Sequence, residues 1–81
     1  MDIKILGSGC VNCRNLEAVT RQALTDLALD VEIDKVTDPA DIASWGVMST
    51  PALVIDDDVV LVGRVPKPDD LKTLIASHRR L

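Results

Sequence analysis

Ile3-Lys4-Ile5-Leu6-Gly7-Ser8-Gly9-Cys10-Val11-Asn12-Cys13 is the segment from which the architecture follows. Ile3, Ile5 and Leu6 form an apolar run around Lys4, the mark of a short strand, and Gly7-Ser8-Gly9 supplies the turn that ends it. From Cys13 onward the period changes. Leu16, Val19, Thr20, Ala23, Leu24, Leu27 and Ala28 recur at three- and four-residue steps and make one apolar helix face. Arg14, Glu17, Arg21, Gln22 and Asp26 fall on the other side. Both cysteines of the chain therefore sit where a strand hands over to a helix.

Further along, Val31, Ile33 and Lys35 alternate with Glu32, Asp34 and Val36, which predicts a second strand. In Thr37-Asp38-Pro39-Ala40-Asp41, Asp38 suits an N-cap, Pro39 the first helical position and Asp41 the positive end of the dipole. This short helix is expected to run to Trp45, with Gly46 as its stop. Ala52-Leu53-Val54-Ile55 reads as a buried strand after Pro51. Asp56-Asp57-Asp58 reads as a polar turn, and Val59-Val60-Leu61-Val62 as the hairpin partner. The three aspartates lack the alternating ligands and later Glu of a calcium loop, so a solvated turn is the expectation. Past Pro66 and Pro68, a last helix places Leu71, Leu74, Ile75 and His78 on one side. Asp69 and Asp70 begin it and Arg79 and Arg80 finish it, in keeping with the macrodipole. The order is β-α-β-α-β-β-α. A helix between the first two strands implies a parallel crossover, and the late pair is antiparallel by its tight turn. The fold class is α/β: a four-stranded mixed sheet flanked by three helices on its two faces.

The chain is short, 81 residues, and is expected to form a single domain over 1–81. Phe and Tyr are absent and Trp45 is the one aromatic residue, so the core must be aliphatic. The net charge is −4, and among the acids only Glu17 and Glu32 are not Asp. An acidic chain without a basic run is a poor ligand for nucleic acid or for an anionic membrane surface. No apolar stretch reaches bilayer-spanning length, and the start, Met1-Asp2-Ile3-Lys4, lacks a signal-peptide layout. The expected location is the cytosol and the expected state a monomer, with the thiols reduced at rest.

At a helix N-terminus, free backbone N–H groups and the positive dipole end stabilise an anion. A thiolate at Cys10 should therefore form below the ordinary thiol range, near ~7 in comparable motifs. Cys13, one turn on, starts the apolar face and should be the more buried. The implied chemistry has two steps: Cys10 attacks a substrate disulfide, and Cys13 resolves the mixed disulfide by closing a ring with Cys10. Other readings stand beside this one. Half of a zinc site needs two more ligands, and His78 is the only further candidate. Inert buried cysteines conflict with the flanking glycines. A soft-metal (copper or zinc) carrier of the ferredoxin-like kind also holds CxxC after its first strand. It would follow its second strand with a hairpin rather than a helix, and it usually has Met where this chain has Ser8.

Trp45-Gly46-Val47-Met48-Ser49-Thr50-Pro51-Ala52-Leu53-Val54 resembles the cis-proline segment of thioredoxins. With CxxC after the first strand, it completes the two diagnostic loops of the thioredoxin-like superfamily. From Ile3 to Leu74 the chain is similar to the small "redox-active disulfide protein 2" group, down to the Gly63-Arg64-Val65-Pro66 corner. The resemblance implies a minimal thioredoxin fold and a protein-disulfide reductase with no bound cofactor beyond a redox-active Cys10–Cys13 disulfide. It makes Cys10 the nucleophile and Cys13 the resolving residue. Thr50 and Pro51 become the substrate-binding residues, the backbone of Thr50 pairing with an incoming polypeptide and Pro51 shielding the sulfurs from metal ions. It implies disulfide-containing protein substrates and recycling by a flavin-dependent or a ferredoxin-linked thioredoxin reductase. The chain departs from the usual pattern in having Gly9 before the first cysteine and Val11-Asn12 between the two, which leaves the reduction potential open. The buried acid of larger thioredoxins has no certain counterpart; Lys4 and Asp34 are expected at the surface, as is Arg64. Within redox chemistry the alternative is a glutaredoxin-like, glutathione-dependent reductase, for which Arg14 and Gly63 match only part of the pattern.

Overall fold

Strand alternation divides the apolar residues of the sheet between two cores. A computed structural model describes residues 1–78 and shows β1 (Ile3–Leu6), α1 (Val11–Asp26), β2 (Ile33–Val36), α2 (Pro39–Ser44), β3 (Ala52–Ile55), β4 (Asp58–Val62) and α3 (Pro68–His78). The sheet order is β2-β1-β3-β4; β1 runs parallel to β2 and antiparallel to β3, and β3 is antiparallel to β4. This is the expected minimal thioredoxin fold, with β1 and β3 in the centre. Because successive side chains point to opposite faces, Ile3, Ile5, Leu53 and Ile55 meet Leu16, Ala23 and Leu24 of α1 and Leu71 and Ile75 of α3 on one face. Leu6, Ala52 and Val54 meet Ile42 of α2 on the other, with Trp45 packed alongside. The sheet is thus covered on both faces, and all four residues of β3 are buried, which explains its unbroken apolar run. Among the described residues Thr20 is the only buried polar one in the core, and it donates its hydroxyl to the Leu16 carbonyl at 2.7 Å.

The helix ends follow local chemistry. Asp38 caps α2 by accepting the Ala40 N–H at 2.8 Å, Pro39 is its first residue, and Gly46 follows with φ +77°. The helix stops at Ser44, with Trp45 as its C-cap rather than its last residue. The second strand begins at Ile33, not Val31; Val31 instead packs against the core of α1 and α3. In the hairpin, Asp56 and Asp57 alone make the turn, both with positive φ, and Asp58 already pairs with Ile55. A two-residue turn of this hand matches the twist of the flanking strands, and Asp tolerates it. The expected helix ending at Arg79 and Arg80 lies outside the described residues.

Ala28 is not on the α1 face that its spacing suggests. The helix ends at Asp26, and Ala28 takes φ 56° so that its N–H reaches the Thr25 carbonyl while the Leu29 N–H reaches that of Leu24. This is a Schellman ending with alanine where glycine is usual. A left-handed non-glycine residue costs roughly 1–2 kcal/mol. After the extra chain entropy of glycine, Ala28→Gly is expected to gain about 0.5–1 kcal/mol, a rise of roughly 3–6 °C in melting temperature. A thermal melt checks it; an unchanged or lower midpoint contradicts the strain.

Candidate active site

Cys10 is the N-cap of α1. Its backbone is extended (φ −66°, ψ 166°), its carbonyl accepts the Arg14 N–H at 3.0 Å, and its sulfur accepts the Cys13 N–H at 3.1 Å. The sulfur thus stands where a serine or aspartate oxygen would cap a helix, among donors that the helix leaves free. Cys13 lies one turn along, and the two are joined as a disulfide with Cα atoms 5.0 Å apart. Cys10 is exposed, whereas Cys13 is only 5% exposed at the start of the buried face of α1. An incoming thiolate or disulfide can therefore reach one sulfur of the pair from solvent, and that sulfur is the one held by the helix terminus.

The second loop comes from β3. The Thr50–Pro51 peptide is cis, Thr50 is exposed and Pro51 is buried. In the β1–β3 register Leu6 faces Ala52, which sets Gly7 opposite Pro51 and brings the proline loop against the turn that carries the cysteines. The Gly63 corner braces this loop from behind. Its N–H donates to the Pro51 carbonyl at 2.7 Å, its φ is +76°, and a Cβ there would crowd Ser49 at 3.3 Å. The glycine-proline corner thus holds the Ser49–Pro51 backbone in place.

On the flank away from Pro51, a cleft of about 230 Å³ opens beside Cys13, lined by Gly9, Arg14, Glu17, Lys35 and Thr37 among others. Sequence spacing placed Glu17 on the polar side of the first helix and gave Lys35 no role at the site. In the fold Glu17, four residues after Cys13 on α1, binds Arg21 at 2.8 Å and Lys35 of β2 at 3.5 Å. The Arg21 hydrogen bond first, and Lys35 next, hold its carboxyl below the ordinary carboxylate range. The first turn of α1 itself holds no acid, so no neighbouring carboxylate on that turn opposes a thiolate at Cys10. Lys4 and Asp34 belong elsewhere. Lys4 pairs with Asp2, which raises its pKa, and lies over the Trp45 ring on the α2 face of the sheet. Among the described residues no group of His, Cys, Asp and Glu is placed to hold a metal ion. A helix rather than a hairpin follows β2, which is the topology the soft-metal carrier reading lacks.

An exposed cysteine and a buried one, joined as a disulfide at the head of a helix beside a proline loop, define a class: the thiol–disulfide oxidoreductases. A family model described as a thioredoxin domain matches residues 1–76, and the chain belongs to that family. It is similar to the thioredoxin of Methanothermobacter thermautotrophicus, 33% identical over 76 residues that cover 94% of this chain and 99% of the relative. It is also similar to the thioredoxin of Methanocaldococcus jannaschii, 37% identical over 76 residues, 94% of this chain and 87% of the relative.

Proposed function

We propose that the chain reduces disulfides of protein substrates, with Cys10 as nucleophile and Cys13 as resolving residue. The observation that carries this reading is the unequal burial of two bonded cysteines at a helix N-terminus. The Cys10 thiolate attacks one sulfur of the substrate disulfide, forming a mixed disulfide and releasing the other sulfur as a thiolate. Cys13, losing its proton, then attacks the Cys10 sulfur; the intramolecular disulfide closes and the second substrate sulfur leaves as a thiolate. Substrate gains two electrons and the chain loses two. The Cys13 N–H that meets the Cys10 sulfur, together with the helix terminus, favours the thiolate at Cys10.

Thr50 offers its backbone to an extended substrate segment beside the sulfurs, and Pro51 closes the ground behind them. A partner reductase, flavin-dependent or ferredoxin-linked, returns the dithiol. In this reading residues 1–81 act as one domain, a cytoplasmic monomer whose only redox group is its own cysteine pair. No described helix is long and apolar enough to cross a membrane. Reduction of insulin with dithiothreitol as electron source tests the proposal. The chain should accelerate precipitation of the insulin B chain well above dithiothreitol alone; a rate equal to that background overturns it.

A further inference from the structure

The turn before Cys10 contains a glycine whose missing side chain is occupied space. Gly7 is buried, and its N–H is fixed to the Val36 carbonyl of β2 at 2.9 Å. A Cβ built on it would overlap the Cys13 sulfur and lie 3.2 Å from the Cys13 Cβ, with the Pro51 Cα at 3.9 Å. Gly7 is not among the positive-φ residues, so the backbone does not demand a glycine there. The neighbouring sulfur does.

We propose that Gly7 is a positioning residue for the Cys13 sulfur, and that its bare Cα sets the stability of the Cys10–Cys13 disulfide. The backbone on neither side has room to shift. Gly7 is pinned by β2 on one flank and backed by Pro51 on the other, and Cys13 is fixed in the first turn of α1. The thiol form of Cys13 can relieve a clash by turning about χ1 to another staggered position. The disulfide cannot, because its sulfur is tied to Cys10. An added methyl at position 7 therefore penalises the oxidised chain more than the reduced one. By linkage, it makes the disulfide easier to reduce.

The inference rests on the exchange reading only for its consequence in turnover. Its test uses no substrate, so the two fail separately. The parent chain and Gly7→Ala are equilibrated with mixtures of reduced and oxidised dithiothreitol. Two chain thiols become one disulfide as the cyclic reagent disulfide takes up two electrons and two protons. The oxidation constant should fall at least tenfold in the variant, a midpoint ~30 mV less negative. A constant within twofold of the parent overturns the proposal. The second measurement is the melting temperature of Gly7→Ala in two backgrounds. The loss seen in the oxidised parent should largely disappear when Gly7→Ala is combined with Cys13→Ala, since the colliding sulfur is gone. An equal loss in both backgrounds overturns it. If Gly7→Ala does not fold, the double variant decides: recovery of folding supports the collision and failure to recover contradicts it.

Discussion

Cys10→Ser is expected to lower insulin reduction by at least about a hundredfold, to the background of dithiothreitol alone. A serine hydroxyl does not ionise at neutral pH, so the covalent route through a mixed disulfide closes. The substitution is mild in every other respect. Serine is among the best N-cap residues, and its oxygen can accept the Cys13 N–H that the sulfur now receives. The ring lost with the disulfide is short, and closing so small a loop is worth about 2 kcal/mol on the chain-entropy argument. Comparing variant and parent in excess reductant removes even that difference. A loss of activity with an unchanged melting temperature in reductant therefore belongs to the chemistry. Activity equal to the parent would end the assignment of Cys10.

The second large effect separates the two sulfurs. Cys13→Ser should retain the attack by Cys10 and lose the release, so a disulfide substrate accumulates as a covalent adduct. Mass mapping should find that adduct on Cys10, close to one per chain, and turnover should fall to background. The asymmetry follows from burial: Cys10 is exposed at the helix terminus, while Cys13 lies beneath it against Gly7. An adduct that dissociates without added thiol would show that Cys13 is not the resolving group.

Local signals carried much of this architecture. The strand-glycine-cysteine-helix passage from Ile3 to Cys13, the Asp38-Pro39 helix start and the hairpin after Pro51 each rest on neighbours in sequence, and each stands in the fold. Two residues depart from the pattern that their spacing suggests, one for a local reason and one for a tertiary one. Ala28 fits the apolar period of α1, yet the helix ends before it because the Leu24 and Thr25 carbonyls are satisfied by a left-handed turn. Val31 fits strand alternation but serves the core in front of β2.

At the site, the cysteines were legible from placement alone, whereas Thr50 and Pro51 entered through family resemblance. Glu17 carried a faint signal, four residues after Cys13 on one helix. Lys35 carried none, because its approach to Glu17 depends on the register that sets Ile5 beside it. Gly7 read as a turn glycine; its contact with the Cys13 sulfur exists only once α1 has folded back over β1.

A redox titration with alkylation and mass mapping bears most directly on the exchange of Cys10 and Cys13 between disulfide and dithiol. Both residues should become alkylatable together, along one two-electron transition, with a midpoint near ~−270 mV if the chain serves as a reductant. Cysteines that titrate independently, or that remain alkylatable at every applied potential, would contradict the account.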